Sequence, residues 1–240
     1  MLNKVMRIGR LIGEKYMRMG YHMPNTYTLT KTKYIKGLKC IKALWLDTYA
    51  RKEAIVSPET QAKFGAGRSF EAKFKATFPN SVDLMENLGK KISEYVPATA
   101  KLLHDNDVVT IFEAAFIFEK TLVLTDVLQK QRDCITIFEV KNNSKLKNVF
   151  LQDLFVQYFV THSVLGDRLQ SFNIVLNGDD SDFKILDVTD VLKHNKETVL
   201  ENINVFNTVI SNTTCPKIKM DVHCNSPYEC EFQLYCKNAK

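Results

Sequence analysis

The sequence is poor in glycine and proline and has no long hydrophobic run, and each shortage excludes a class of protein. Nine glycines and six prolines in 240 residues are too few for a fibrous or linker-rich chain. No run of about eighteen apolar residues occurs, so the sequence predicts no membrane-spanning helix. The N-terminal region is rich in Lys and Arg and has no apolar core, so we expect no secretory signal and a cytoplasmic location.

The remaining composition is that of one folded domain with a basic extension. Hydrophobic residues make up 45% of the chain, which is sufficient for a packed core and excludes general disorder. Residues 1–27 are basic and rich in Met and are expected to form an N-terminal arm, whereas residues 28–240 are expected to form a single domain. The formal net charge of +6 permits a polyanionic partner without establishing one.

Three helical regions are predicted in the first half of the domain. Residues 29–52 place apolar side chains on one stripe and lysines on much of the remaining surface. A second helix, within 57–79, has Gly65 and Gly67 in its interior, where they are expected to mark the close approach of packed backbone or of a ligand. A third region, 81–106, is expected to be interrupted by its proline.

The hydrophobic period then changes from that of helices to that of strands. Three segments rich in β-branched and aromatic residues, separated by short polar breaks, predict three strands joined by tight turns. A buried helix, two strands, an amphipathic helix and a cysteine-rich tail follow. The order α-β-β-β-α-β predicts an α/β (α+β) fold with a mixed central sheet flanked by helices. The three strand segments are 108–120, 121–129 and 134–142.

Charged residues on the second and third predicted strands form a candidate metal site. Asp126 lies in the second strand, and Glu139 and Lys141, which share a face because strand side chains alternate, end the third. Two neighbouring carboxylates repel each other unless a cation lies between them, and Mg²⁺ prefers a few carboxylates together with water and phosphate oxygens. Lys141 is suited to hold or deprotonate a water molecule, or to stabilise charge on a phosphate. A simple salt bridge between Glu139 and Lys141 is the alternative interpretation.

The order of these elements and charges resembles the PD-(D/E)XK nuclease superfamily, and in particular its RecB-like branch. The resemblance implies a restriction-endonuclease-like core in which Asp126 and Glu139 bind Mg²⁺ or Mn²⁺, with the Val140 carbonyl as a further ligand. It also implies that Lys141 assists the water that attacks the phosphodiester.

Further positions match the motifs of this branch less closely. Gln157 and Tyr158 correspond to a catalytic Gln-Tyr motif that orients DNA or the lysine, although in many relatives the Tyr comes four residues after the Gln, where this chain has Thr161. The first motif, Gly-x-x-x-His, is kept in spacing with Glu71 in place of His. The resemblance implies that Glu71 is a catalytic or metal-binding carboxylate, and a plain surface Glu is the alternative. Glu113 matches an acidic position that recurs in the branch, and a structural partner for an Arg or a Lys is the alternative.

Three of the six cysteines are equally spaced in the tail. Cys224, Cys230 and Cys236 are expected to be reduced inside the cell and to bind a metal or a cluster. Cys40 is the best candidate for a fourth ligand, with His223 as an alternative. Four thiolates suit a [4Fe–4S] cluster or Zn²⁺. The two remaining cysteines are not expected to be ligands.

The cysteine pattern resembles that of iron–sulfur nucleases of the same branch. The resemblance implies a structural [4Fe–4S] cluster that joins the two ends of the domain, with Zn²⁺ as the alternative metal. It implies a bacterial DNA nuclease that depends on Mg²⁺ or Mn²⁺, is expected to act as an exonuclease, and binds DNA without sequence specificity.

Two alternative functions on the same fold stay open. One is a catalytically silent DNA-binding module, and the other is a subunit that requires a helicase or a defence-system partner. Over residues 28–236 the chain also resembles the N-terminal nuclease region of a narrower bacterial family of unknown function. Its members usually carry a further C-terminal domain, which this sequence is expected to lack.

Overall fold

The structure, a computed structural model, describes residues 26–179 and 182–238. The basic arm predicted for residues 1–27 lies outside these ranges apart from its last two residues. The described residues form a mixed α/β fold in which helices flank one central sheet of seven strands, as the sequence predicted. None of the helices in these ranges combines the length and the apolar character that crossing a membrane requires.

The domain begins with a short strand and two helices, where the sequence predicted one continuous helix. Strand β1 (Leu29–Thr30) leads into helix α1 (Lys31–Lys39), and helix α2 (Ile41–Tyr49) follows after Cys40. The backbone of Cys40 is extended, with φ −165° and ψ 117°, so the helical hydrogen-bond series stops there and starts again. Periodicity alone misses this break because the apolar stripe continues across it.

Three further helices and one short strand complete the first half of the domain. They are α3 (Pro58–Lys75), β2 (Val82–Asp83), α4 (Leu84–Leu88) and α5 (Ile92–Asp105). The predicted interruption of the last helix is wrong, because α5 continues through Pro97. The proline removes one backbone donor and so weakens the helix without ending it. No atom lies within 4 Å of a Cβ built on Gly67 of α3, so the described chain makes no close approach there.

Three long antiparallel strands form the centre of the sheet, at the positions that the sequence predicted. They are β3 (Val108–Phe118), β4 (Thr121–Gln131) and β5 (Cys134–Val140). Glu119, Lys120 and Arg132 in the connecting turns have φ of 46°, 55° and 55°. Positive φ is what tight hairpin turns require, since it matches the twist of the strands that they join.

The second half adds two strands and the helices that cover the sheet. These elements are α6 (Asn148–Leu165), β6 (Leu169–Asn177), β7 (Phe183–Asp187), α7 (Thr189–Leu192), α8 (Lys196–Ser211) and α9 (Gln233–Asn238). The strand order is β2-β3-β4-β5-β6-β7, with β1 paired to β4. The β5–β6 pair is parallel, whereas β3–β4, β4–β5 and β6–β7 are antiparallel, so the sheet is mixed.

Apolar side chains pack on both faces of the sheet. The main core lies between the sheet and helices α5, α6 and α8. A smaller core surrounds Phe74 of α3 together with residues of four strands. A third cluster, which includes Leu46 of α2 together with Cys230 and Phe232, joins the tail to the first helices. The acidic residues of the central strands and the cysteines of the tail therefore lie in two separate regions of one domain.

Candidate functional site

Two acidic residues stand opposite each other in the centre of the sheet. The residues on either side of them are paired across β3 and β4, and this register places Glu113 opposite Asp126. Glu113 has φ 59°, in the left-handed region that non-glycine residues rarely adopt inside a strand. Like charges directly opposite each other destabilise a sheet, and backbone strain concentrates at functional sites. The pair is a candidate for a functional role because it works against stability.

Glu71, near the C-terminal end of α3, completes a group of three carboxylates. One oxygen each of Glu71, Glu113 and Asp126 lies within 4.8 Å of the other two. The Nζ of Lys75 is 2.5 Å from Oε1 of Glu71 and 2.7 Å from Oε1 of Glu113. Burial alone would lower the pKa of Lys75, but the carboxylates of Glu113 and Glu71 raise it. Burial raises the pKa of Glu113 in spite of this lysine.

Glu139 and Lys141 belong to a second group of charges at the end of β5. The Glu139 side chain is 1% exposed, and its Oε1 lies 2.6 Å from the Nζ of Lys141. The same Nζ is 2.5 Å from Oδ2 of Asp153 on α6. Burial would raise the pKa of Glu139, but the ammonium groups of Lys141 and Lys31 lower it well below its usual value. The other oxygen, Oε2, is buried and has no hydrogen-bond partner among the described residues.

Asp126 links the two groups of charges. Its Oδ2 accepts a hydrogen bond of 2.7 Å from the backbone N–H of Val140. The pairing of β4 with β5 extends to Val127 and Phe138, so Asp126 and Glu139 occupy the next position, where the ladder stops. Burial and the nearby carboxylate of Glu139 raise the pKa of Asp126 well above its usual value. This contact uses the Val140 amide, and the role of its carbonyl as a metal ligand stays a prediction.

The predicted pair of metal ligands, Asp126 and Glu139, is brought together only in part. In the described ranges the compact carboxylate group contains Asp126 with Glu71 and Glu113, and Glu139 is not one of its members. Lys31 of α1 and Lys141 both donate to one oxygen of Glu139, and Lys141 also donates to Asp153 of α6. Glu139 is therefore bound to the lysines and not to the other carboxylates. Glu113, which the resemblance indicated only as a recurrent acidic position, takes the place beside Asp126.

Gln157 and Tyr158 of α6 face different parts of the molecule. Gln157 follows Asp153 by one helical turn, so both project from the same side of α6. Gln157 is fully buried, and neither its Nε2 nor its Oε1 has a hydrogen-bond partner among the described residues. The ring of Tyr158 lies 5.2 Å from that of His162 and 6.1 Å from that of Phe172, and its burial raises the pKa to about 12. The structure does not bring Tyr158 to the acidic residues.

The four cysteines that were predicted as ligands line one pocket. Cys40, Cys224, Cys230 and Cys236 border this pocket, and His223 also contributes to its lining. Cys224 and Cys230 are buried, and the other two are partly exposed. The remaining cysteines of the sequence are not among the lining residues. No three cysteine or histidine ligand atoms in the described ranges lie within 4.8 Å of one another.

Contacts between the tail and the first helices hold the tail in place beside the cysteine pocket. The Nζ of Lys36 is 2.6 Å from Oε1 of Glu231, and that of Lys39 lies 4.0 Å from the centre of the Tyr228 ring. The N–H of Ile55 donates a hydrogen bond of 2.8 Å to the carbonyl of Glu231. The tail is thus held against α1 and α2 by the protein's own contacts. Lys36 and Lys39 are therefore used inside the domain and are not free surface lysines.

Three residues of the charged region escaped the sequence-based prediction of the site. Lys75 and Asp153 lie one helical turn from Glu71 and Gln157, but such spacings are common on any helix and carry little information. Lys31 bonds to Glu139 across 108 residues of sequence, and no local pattern indicates that contact.

Comparisons with known proteins add little to this geometry. No family model matches the sequence. No curated protein matches it. A solved structure described as "Crystal structure of SSO0001" is similar over 98% of this chain and 96% of that chain, with 11% sequence identity and a TM-score of 0.46. A likeness of that degree does not bear on function, so the assignment of both sites depends on their residues.

Proposed function

We propose that the protein is a metal-dependent DNA nuclease of the PD-(D/E)XK class. The observation that carries the proposal is the grouping of Glu71, Glu113 and Asp126 beside the pair formed by Glu139 and Lys141. Four carboxylates converge there from α3, β3, β4 and β5 although their mutual repulsion opposes it. A divalent cation bound to these carboxylates would offset their repulsion and would also bind a phosphate.

The oxygen donors suit Mg²⁺ or Mn²⁺. Hard divalent cations prefer carboxylate, carbonyl and water oxygens, and Glu71, Glu113 and Asp126 each offer one oxygen to a common centre. The unpartnered, buried Oε2 of Glu139 is a fourth donor near them, and the Val140 carbonyl is a fifth candidate. A bound cation would supply Lewis-acid activation of the phosphodiester and of the attacking water.

The side chains around this centre position the phosphate and the water. Lys141 is held between Glu139 and Asp153, where its ammonium group can donate to a phosphate oxygen or to a water molecule. Burial would lower the pKa of Lys141, but Glu139 and Asp153 raise it well above its usual value. In the absence of a cation, Lys141 therefore carries a positive charge in this arrangement. The unpartnered, buried amide of Gln157 is suited to orient the lysine from inside the domain.

Exposed cations near the acidic residues provide a surface for the DNA backbone. The loop after β5 is joined to α3 by a 3.0 Å hydrogen bond from Nδ2 of Asn142 to the carbonyl of Ala66. Contacts to phosphates add affinity that depends on salt but not on sequence, which suits an exonuclease without base preference. The exposed cations on these two elements include Arg68 and Lys73 of α3 and Lys145 and Lys147 of the loop.

We propose in addition that the cysteine pocket holds a [4Fe–4S] cluster. Four sulfurs bound to one zinc, with Zn–S bonds of about 2.3 Å, would lie within about 4 Å of one another. No three of the cysteine sulfurs lie within 4.8 Å of one another in the described ranges, and thiolates are the usual ligands of polynuclear iron–sulfur groups. Such a group would join Cys40 to the tail and so close a loop that spans most of the domain.

Anaerobic purification tests the nature of the cysteine site. The wild type is expected to be brown with a broad visible absorption, and Cys236→Ser is expected to lose this colour. Cys134→Ser is the matched control, because Cys134 is exposed at the start of β5 and lies outside the pocket lining. A colourless wild type with one zinc ion per chain would contradict the cluster.

Digestion of end-labelled single- and double-stranded DNA with Mn²⁺ tests the nuclease function. The wild type is expected to release labelled products, and Lys141→Ala is expected to release them at least about a hundredfold more slowly, because a charge beside the reacting phosphate is lost. Lys52→Ala, at an exposed position, is the matched control. DNA binding without cleavage would indicate a silent binding module, and cleavage only with an added partner protein would indicate a subunit.

A further inference from the structure

Lys31, the first residue of α1, forms an ion pair with Glu139 and has no role in the mechanism proposed above. Its Nζ lies 2.9 Å from Oε1 of Glu139 and 3.7 Å from Oδ2 of Asp153. The Lys31 side chain keeps 23% of its surface exposed, so it lies at the edge of the charged region and is not sealed inside it. Thr30 caps the helix here by accepting a hydrogen bond from the N–H of Lys33, which fixes the first turn that carries Lys31.

Lys31 and Lys141 bind the same oxygen of Glu139. Oε1 receives a hydrogen bond of 2.9 Å from Lys31 and one of 2.6 Å from Lys141, whereas Oε2 has no partner among the described residues. Two ammonium groups on one oxygen restrict the orientation of the carboxylate. The second oxygen, Oε2, is therefore the one that can bind another cation.

The total charge of the region shows what Lys31 contributes. Five carboxylates and three ammonium groups meet there, so two negative charges remain in excess when all are ionised, and one divalent cation neutralises them. Without Lys31 the excess would be three. The carboxylates are those of Glu71, Glu113, Asp126, Glu139 and Asp153, and the ammonium groups are those of Lys31, Lys75 and Lys141.

We propose that Lys31 is a positioning residue of this site, which fixes the carboxylate of Glu139 and matches the charge of the region to one divalent cation. The inference rests on the proposed nuclease function and adds to it a residue from a distant segment. Lys31 has opposite effects on two steps. Its charge weakens the binding of the cation, by Coulomb repulsion, and strengthens the placement of the substrate phosphate. A residue with a purely structural role would strengthen both the binding of the cation and the placement of the phosphate.

Titration of the 240-residue protein with Mn²⁺ tests this role, with the free ion measured by electron paramagnetic resonance. Lys31→Met is expected to bind Mn²⁺ at least about fivefold more tightly than the wild type, since one nearby positive charge is removed. The same variant is expected to cleave DNA at least about tenfold more slowly. Lys52→Met, which changes the net charge equally at an exposed position, is expected to match the wild type in both measurements.

Two further variants distinguish a failure of the role proposed for Lys31 from a failure of the proposed metal site. Lys31→Arg keeps the charge and is expected to keep the wild-type Mn²⁺ affinity, and it serves as the test if Lys31→Met does not fold. An unchanged or weaker affinity in folded Lys31→Met, or a rise in Lys31→Arg, would overturn the inference. If Asp126→Asn abolishes Mn²⁺ binding in the same assay while Lys31→Met has no effect, only the role of Lys31 fails. If Asp126→Asn binds Mn²⁺ like the wild type, the proposed metal site itself is wrong.

Discussion

Several individual residues of the acidic region lower the stability of the fold. Glu113 adopts a left-handed backbone conformation opposite Asp126, and Gln157 is buried without a hydrogen-bond partner among the described residues. Natural chains depart from local rules of stability mainly where function requires it. Asp126, a charged residue inside an apolar strand, and Glu139, near the end of the next strand, were predictable from sequence for this reason. Lys31 was not predictable as their neighbour, because its contact depends on the packing of α1 against the sheet.

At this scale, Asp126→Asn is expected to stabilise the metal-free protein. The substitution removes a partly buried negative charge near Glu113 and Glu139, while the amide oxygen can still accept the hydrogen bond from Val140. The expected gain in the free energy of unfolding is about 1 kcal/mol, by analogy with like charges paired across strands. Thermal unfolding with a chelator present measures it. A lower melting temperature for Asp126→Asn than for the wild type would contradict the account.

The affinity for Mn²⁺ is expected to fall with decreasing pH before ordinary carboxylates titrate. Burial raises the pKa of Asp126 and of Glu113 in the absence of a cation, and a proton competes with the metal for each oxygen. With both pKa values raised, the loss begins above the usual carboxylate range of about 4 to 4.5. Titrations at a series of pH values measure the effect. An affinity that stays constant until the pH reaches that range would show that these carboxylates are not the ligands.

Several helices and strands were predictable from a single hydrophobic period that persists along the whole element. The three central strands and the buried helix α6 are examples, because each has an uninterrupted apolar pattern. The break at Cys40 and the continuation of α5 through Pro97 were not predictable, since both depend on tertiary packing that overrides local preference. The break has a structural consequence, because it leaves Cys40 between two helices and at the wall of the cysteine pocket.

In helix α3, Gly67→Ala is expected to stabilise the protein. No atom lies within 4 Å of the added Cβ, and Ala favours a helix interior over Gly by about 1 kcal/mol. Chemical denaturation should therefore show a higher midpoint with an unchanged slope. Gly37→Ala is the contrasting variant, because its Cβ would meet the Phe206 ring at 2.8 Å and destabilise the packing of α1. A loss of stability in Gly67→Ala would mean that the exposed face of α3 is covered.

In the whole molecule, the chain brings together segments that are far apart in sequence. The cysteine pocket joins Cys40 to the tail, and α1 joins that pocket, through Lys31, to Glu139 at the acidic site. The class of fold and the members of the cysteine pocket were predictable from element order and from spacing. Asp126 and Glu71 of the acidic group were also predicted as metal ligands, whereas the place of Glu113 beside Asp126 was not, because it depends on the register of β3 and β4.

The affinity for DNA is expected to depend strongly on salt. Each cation that neutralises a phosphate contributes close to one unit to the slope of log K against log salt concentration. Arg68→Ala and Lys145→Ala, which remove exposed cations from α3 and the adjacent loop, are each expected to lower that slope by about one. Gel-shift titrations across a range of salt concentrations provide the measurement. Equal slopes for the wild type and both variants would place the DNA on another face.

The single-turnover rate of Mn²⁺-dependent DNA cleavage, compared between Asp126→Asn and Asp133→Asn, tests the central claim most directly. Both variants lose one carboxylate of the same hairpin, but Asp126 belongs to the acidic group whereas Asp133 is exposed in the turn between β4 and β5. The account predicts wild-type cleavage by Asp133→Asn and a loss of at least about a thousandfold in Asp126→Asn. Equal rates of cleavage by the two variants would contradict it.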